Sequence, residues 1–265
     1  MKTIFITGAS TGLGKAAAKL FQSRGWNVIA TMRNPQAETE LTQLENVTLL
    51  PLDVTSMEQI QSNVKKALEI SDIDVVFNNA GYGLIGPLEA LEDDQILKQL
   101  DTNLLGVIRV TKEFIPYFRE KKSGMFITTT SIGGLLAFPL SSTYHATKWA
   151  LEGWSESLSF ELNKFGIDIK TVSPGGIKTD FISRSLDTGT KPEYQEMIDS
   201  MFSNTESIME GASEPETIAE VVYEAATDGK KQLRYIAGED AKALYAQRLE
   251  MGAEAFREEF GKQFI

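Results

Sequence analysis

The chain has 265 residues, 42% of them hydrophobic and 24% charged, with a formal net charge of −11, no cysteine and a single histidine, His145. The absence of cysteine excludes disulfides, thiolate metal sites and a cysteine nucleophile, and one histidine supplies neither a zinc cluster nor a Ser-His-Asp triad. The acidic balance opposes nucleic-acid binding, which depends on neutralising phosphates, and leaves an ordinary globular chain able to bury a full core without covalent staples.

The N-terminal run MKTIFITGAS enters strand-like sequence directly, with no long apolar region and small-residue cleavage site, so no signal peptide is expected. No apolar stretch approaches the ~20 residues that span a bilayer. A cytoplasmic location is the expectation, and the missing cysteines fit a reducing compartment.

Strand-length apolar runs follow in order at Thr3–Thr7, Trp26–Thr31, Val47–Leu52, Val75–Asn78, Gly124–Thr129, Ile167–Val172 and Leu233–Ile236. Helical segments fall between them near Leu13–Arg24, Ser56–Glu69, Asp93–Glu120, Thr143–Phe165 and Pro215–Ala226. The strands are short and continuous rather than alternating, as a parallel sheet buried on both faces requires. This rhythm predicts an α/β, doubly wound Rossmann fold with a central parallel sheet of about seven strands flanked by helices. With no repeat, low-complexity tract or Pro/Gly-rich linker, residues 1–265 read as one domain. Residues 180–211 break the rhythm, showing no strong strand and mixing polar residues with Phe181, Ile182, Tyr194, Met197, Ile198, Met201, Phe202 and Met209. Such insertions are commonly binding loops, and this one is read as a substrate-binding lid. The tail after Gly238 reads as helical and acidic.

The first strand runs into Thr7-Gly8-Ala9-Ser10-Thr11-Gly12-Leu13-Gly14 and then a helix. A glycine turn there lets backbone approach a pyrophosphate, with the helix N-terminus aiming N–H groups at it. A Walker A loop is excluded, because Ala16 follows Gly14-Lys15 and Ala9 stands where its first glycine would be. The spacing also differs from G-x-G-x-x-G.

The pattern T-G-x-x-x-G-x-G resembles the signature of the short-chain dehydrogenase/reductase family, in its compact rather than extended branch, and the resemblance continues from Lys2 to about Phe181. Asn78-Asn79-Ala80-Gly81 is similar to the family's N-A-G motif, Asp53 to its adenine-contacting aspartate, and Pro174-Gly175 with Ile177 and Thr179 to its carboxamide-holding turn. The resemblance implies cofactor contacts from Gly8, Ser10, Thr11, Gly12, Leu13 and Gly14, from Asp53 and Val54, from Asn79, Ala80 and Gly81, and from Pro174, Gly175, Ile177 and Thr179. An acid at the end of the second strand bonds a ribose 2′-hydroxyl and repels a 2′-phosphate. Met32 occupies that slot, and Arg33 after it offers a planar, always charged fork suited to phosphate. NADP(H) is therefore the expected cofactor, with NAD(H) as the alternative.

Tyr144 and Lys148 form Y-x-x-x-K on a predicted helix, where residues four apart share a face. A free phenol has a pKa of about 10, and a neighbouring ammonium is expected to lower it. Tyr144 could then act as general acid for a carbonyl oxygen or general base for an alcohol. The resemblance assigns Lys148 also to the nicotinamide ribose. It makes Ser131, thirteen residues before Tyr144, the catalytic serine, and Asn103 the asparagine that holds a relay water. Bland readings remain at single positions: Ser131 could cap a strand, and Asn103 could satisfy a helix kink. His145 points about 100° away from Tyr144 and is expected to pack or to line one side of the pocket. No metal is required.

Asn79 to Glu89, Ser131 to Gly134 and Lys148 to Gly153 resemble the 17β-hydroxysteroid and retinol dehydrogenase-like group. The chain departs from that group after Phe181, so steroid recognition does not carry over. The Met- and Phe-rich lid suggests a small apolar ketone, aldehyde or alcohol, although core or subunit packing would use the same residues. The helices of Asn103 and Tyr144 are similar to those that pair between subunits in the family. Trp149, Leu151, Trp154, Leu158, Phe160 and Leu162 give the second helix apolar residues to spare, so a homodimer or homotetramer is expected. The competing functions are a catalytically idle NADP(H)-binding regulator and an NAD-dependent alcohol dehydrogenase.

Overall fold

A strand that is apolar on both faces needs a helical layer on each side, and β1 (Thr3–Ile6) shows how this chain supplies them. A computed structural model describes residues 1–179 and 186–263, except for the side chains of residues 202 and 204–210. Ile4 and Ile6 join a cluster with Phe21, Val28, Ile218 and Val222. Phe5 between them joins the opposite cluster with Val64, Val76, Phe114, Phe118 and Phe126. The first layer comprises α1 (Gly12–Ser23) and α7 (Pro215–Thr227). The second comprises α2 (Met57–Ile70), α4 (Gly106–Lys121) and α5 (Ser142–Leu162). Removing one such phenylalanine from water is worth about 1.5–3 kcal/mol, so alternation along β1 ties both layers to one strand.

The sheet adds β2 (Asn27–Met32), β3 (Val47–Pro51), β4 (Val75–Asn78), β6 (Gly124–Thr129), β7 (Ile167–Pro174) and β9 (Arg234–Ala237). All seven strands are parallel, in the order β3-β2-β1-β4-β6-β7-β9. The order reverses direction between β1 and β4, and at such a switch point the strand C-termini open a crevice for ligands. The observed strands match the predicted runs to within a residue or two. No helix among the described residues is long and apolar enough to cross a membrane.

Three features differ from the periodicity. The single predicted helix from Asp93 is split into α3 (Asp93–Leu100), a π-helical turn over Asp101–Leu105, and α4. Such a wide turn arises where a side chain makes a demand the regular ladder cannot meet, and Asn103 sits within it. A two-stranded parallel sheet joins β5 (Gly83–Ile85) to β8 (Leu186–Thr188), inside the segment where no strong strand was expected. Three residues make no periodic signal, and the strand exists through its long-range partner. The same segment carries α6 (Gln195–Glu210), a run free of glycine and proline. Of its apolar residues, Phe181 and Ile182 lie outside the described residues, as do the side chains of Phe202 and Met209. The tail forms α8 (Glu239–Met251) and α9 (Ala253–Gly261), as its helical character predicts.

Candidate active site

The turn from β1 to α1 is built around close backbone approach. Gly8 and Gly12 have φ of +68° and +51°, in the left-handed region where a side chain is strained. A Cβ on Gly8 would stand 2.7 Å from the Ala80 Cα. Helix α1 begins after Thr11, whose side chain makes no capping bond, and its first turn carries no acid. Its first N–H groups and positive dipole end therefore remain available to an anion. Ser10 and Thr11 are exposed, whereas Leu13 and Gly14 are buried.

The loop after β4 is braced onto this turn. Thr7 Oγ1 accepts the N–H groups of Asn79 and Ala80 at 3.0 and 3.1 Å. Asn79 Nδ2 donates to the carbonyls of Thr7 and Gly8, and its Oδ1 accepts from Thr129 Oγ1 at 3.1 Å. Gly81 passes Asn103 so closely that a Cβ would stand 3.3 Å from Asn103 Oδ1. After β3, Asp53 Oδ1 accepts the N–H and hydroxyl of Thr55, and Val54 is buried against Gly106.

Arg33 is exposed and forms no ion pair among the described residues, while Met32 before it is buried. The acids beyond it are occupied: Glu38 bonds Lys15 and the backbone N–H groups of Glu40 and Leu41, and Glu40 bonds Lys15 and Lys19. At the far end, the Pro174–Thr179 stretch returns over the glycine turn. A Cβ on Gly12 would stand 3.2 Å from the Thr179 methyl. Gly175 donates to the Ala237 carbonyl at 3.1 Å and Gly176 to Asp240 Oδ2 at 2.7 Å. Asp240, at the start of α8, holds this turn from a segment that carries no motif.

The reacting groups meet where α5 passes the C-terminal end of β6. Ser131 is extended, caps a short 3-10 turn over Ile132–Gly134, and accepts the Gly133 N–H on its Oγ at 3.0 Å. The Tyr144 hydroxyl faces the Ser131 side chain. One turn on, Lys148 Nζ lies 5.7 Å from the Tyr144 ring centroid and donates to the Thr129 carbonyl at 2.9 Å. Burial brings Lys148 down to about 8, against the opposing pull of the Glu152 carboxylate. The expected lowering of the phenol pKa is corrected here: burial pushes Tyr144 up, and the facing Ser131 hydroxyl opposes this only in part.

Asn103 is buried, with Oδ1 accepting the Tyr82 N–H at 3.0 Å and Nδ2 donating to the Tyr82 carbonyl at 2.8 Å. It joins the site through the Gly81-Tyr82 backbone rather than through a bond to Lys148. His145 is buried and packs, as expected. Glu152, a further turn along α5, went unnoticed in the sequence. It is buried, accepts from Ser173 Oγ at 2.9 Å and pairs with Arg234 at 2.8 Å. Its spacing from Lys148 repeats that of Lys148 from Tyr144, the one signal that could have marked it.

Comparison with known proteins places this geometry. The profile described as short chain dehydrogenase matches residues 2–188. The chain is 31% identical to human 17-beta-hydroxysteroid dehydrogenase type 1, over 93% of its own length and 80% of the relative's. A short-chain dehydrogenase structure from Streptomyces avermitilis superposes with a TM-score of 0.87 at 30% identity, covering 98% of this chain and 96% of that one. ElxO, solved with NADP bound, superposes at 0.77 with 27% identity, covering 91% of this chain and 99% of its own.

Proposed function

The chain belongs to the short-chain dehydrogenase family of oxidoreductases, and from that premise we propose that it is an NADP(H)-dependent reductase of small apolar ketones or aldehydes, with Tyr144 as the proton donor. The observation that carries this reading is Lys148, a buried ammonium that among the described residues gives one hydrogen bond, to the Thr129 carbonyl, and lies 5.7 Å from the Tyr144 ring. A lysine carries three N–H donors. The remaining two suit the ribose hydroxyls of a dinucleotide, as the family resemblance implies.

The residues present fit such a cofactor. The uncapped α1 N-terminus and the side-chain-free approach at Gly8 suit a pyrophosphate. The unengaged Arg33 fork suits a 2′-phosphate, and the two acids that follow it most closely, Glu38 and Glu40, are both engaged by Lys15. ElxO with its bound NADP supports the same choice. When bound, the nicotinamide supplies the hydride. Tyr144, held protonated by burial, gives its proton to the carbonyl oxygen. Ser131 Oγ uses one lone pair on the Gly133 N–H and turns its own hydrogen toward charge developing on that oxygen.

The lid helix α6, through Met197 and Ile198, is the apolar side of the substrate pocket in this reading, whereas Ile132, Leu135 and Leu136 are packed against Ala241 and Phe256 of the tail helices. Self-association is part of the same reading. Of the six apolar residues expected to be spare on α5, Leu151, Leu158 and Leu162 are core and Trp154 packs against it, whereas Trp149 and Phe160 stay exposed. These two, with exposed Leu97 and Leu105, support a homodimer or homotetramer, to be checked by sedimentation.

The test is NADPH oxidation by purified protein with a panel of apolar aldehydes and ketones, with NADH and Tyr144→Phe in parallel. Turnover that prefers NADPH and disappears in Tyr144→Phe is the expected result. NADPH binding without turnover on any carbonyl would sink the reductase and leave the redox-sensing regulator.

A further inference from the structure

The one histidine of the chain has no place in the chemistry above, yet both of its nitrogens are committed. His145 Nδ1 lies 2.6 Å from the Gly133 carbonyl, and Nε2 lies 2.9 Å from the Phe138 N–H. A carbonyl only accepts and a backbone N–H only donates. The imidazole must therefore be neutral, with its proton on Nδ1 and a bare lone pair on Nε2. Each nitrogen reaches a different part of the segment running from Ser131 to Phe138.

That segment matters because of what it carries. Gly133, whose carbonyl the imidazole holds, donates its own N–H to Ser131 Oγ at 3.0 Å. Phe138, at the other end, packs against the His145 ring at 5.6 Å and against Phe260 of α9 at the same separation. The fit at Gly133 is tight, since a Cβ there would stand 3.0 Å from His145 Cε1 and Nδ1 and 3.3 Å from Ser131 Oγ. The ring sits in the first turn of α5, one residue after Tyr144. Tyr144 and the segment bearing Ser131 are thus referred to the same turn of helix.

We infer that His145 is a positioning residue: a neutral imidazole that clamps the Gly133 carbonyl and the Phe138 N–H, and so fixes Ser131 Oγ against the Tyr144 hydroxyl. The inference rests on the reading of Ser131 as the group facing the substrate oxygen. An apolar ring at this position would fill the same space while leaving both backbone groups without partners. The clamp, rather than the volume, is what the histidine contributes.

Because the chain has one histidine, its imidazole nitrogens can be read without assignment in a long-range 1H–15N correlation spectrum of the whole protein. A neutral ring protonated on Nδ1 at pH 7.5 is expected, and an Nε2-protonated ring or an imidazolium would overturn the clamp. His145→Phe and His145→Gln then separate bonding from volume. Amide exchange at Gly133 and Phe138 should speed up by about tenfold or more in His145→Phe, with His145→Gln, which keeps one donor and one acceptor, falling between. Unchanged exchange in His145→Phe would also overturn it.

The catalytic consequence is read with 4-nitrobenzaldehyde and NADPH. For His145→Phe, kcat should drop on the order of 10- to 100-fold, with NADPH affinity by fluorescence unchanged and partial recovery in His145→Gln. Equal kcat in His145→Phe and the parent would remove the positioning role. A parent protein that reduces no carbonyl would sink the proposed reduction and this role with it, while the tautomer and exchange readings would still decide the clamp.

Discussion

Two lysines are almost entirely buried in this protein, at 6% and 1% exposure, and their surroundings differ in kind. Lys170, at the β7–β9 edge, donates to the Ala225 carbonyl at 2.7 Å, Asp228 Oδ1 at 2.8 Å and the Tyr235 hydroxyl at 3.0 Å. All three of its donors are used, and its charge is matched by a carboxylate in direct contact. Although burial alone would raise it, Asp228 is held down to about 2 by Lys170 and its other bonds. Lys148, on α5, donates to one backbone carbonyl, and the nearest carboxylate along its helix face, Glu152, is engaged by Ser173 and Arg234. A saturated buried cation is a structural joint. A buried cation left with donors to spare and a depressed pKa marks a place built for something else to bind.

The sharpest way to break this comparison is to remove each ammonium while keeping its stem. Lys148→Met is expected to lower turnover on the order of 10²- to 10⁴-fold with the fold intact. Lys170→Met should leave turnover per folded molecule within about twofold. Steady-state rates on both variants, with circular dichroism to confirm folding, would show whether the roles are exchanged.

Stability should divide the other way. Lys170→Met leaves the Asp228 carboxylate with only the exposed Lys230 ammonium, 3.7 Å away, as a cation, and should cost up to about 3–5 kcal/mol, read from urea midpoints. Adding Asp228→Asn should recover most of that loss, because replacing both members of a buried pair is far less harmful than replacing one. A double variant no better than the single one would mean that the joint depends on Tyr235 and the Ala225 carbonyl rather than on the ion pair.

The smallest effect is also the most specific to Lys148. Its folded pKa of about 8 lies below the ordinary 10.5. Between those values the unfolded chain holds the proton that the folded protein has released, so this group makes stability rise with pH across that window. Below about 8 the folded protein bears the full cost of a buried charge. Lys148→Met should therefore raise the melting temperature at pH 7, by about 2–4 °C for each kcal/mol relieved. The gain should shrink as pH climbs from 8 toward 10. A gain independent of pH would show that Lys148 is not strained by burial.

Much of this was legible in the chain. Uninterrupted apolar runs separated by helical periods dictate a parallel sheet covered on both faces, and all seven predicted strands are present in it. The glycines at 8 and 12 could be read as a tight turn before a helix, and they carry positive φ. Tyr144 and Lys148 had to share a face of any helix containing both. Each of these follows from covalent geometry within a few residues, which is why sequence alone determined it.

The rest depends on partners far along the chain. Asn103 bonds Tyr82 across a π-helical turn, Glu152 pairs with Arg234, and Asp240 holds Gly176. No spacing encodes such meetings, because a hydrogen bond is made by whatever groups the packed layers bring within reach. The protonation of Tyr144 was read in the wrong direction for a related reason. The local rule that a neighbouring lysine lowers a phenol assumes an exposed pair. Burial reverses the balance, because removing water disfavours the charged forms of the phenol and the ammonium together. Sequence placed the two groups side by side; only the tertiary structure, by drawing water away from the phenol, decided that Tyr144 keeps its proton beside the ammonium.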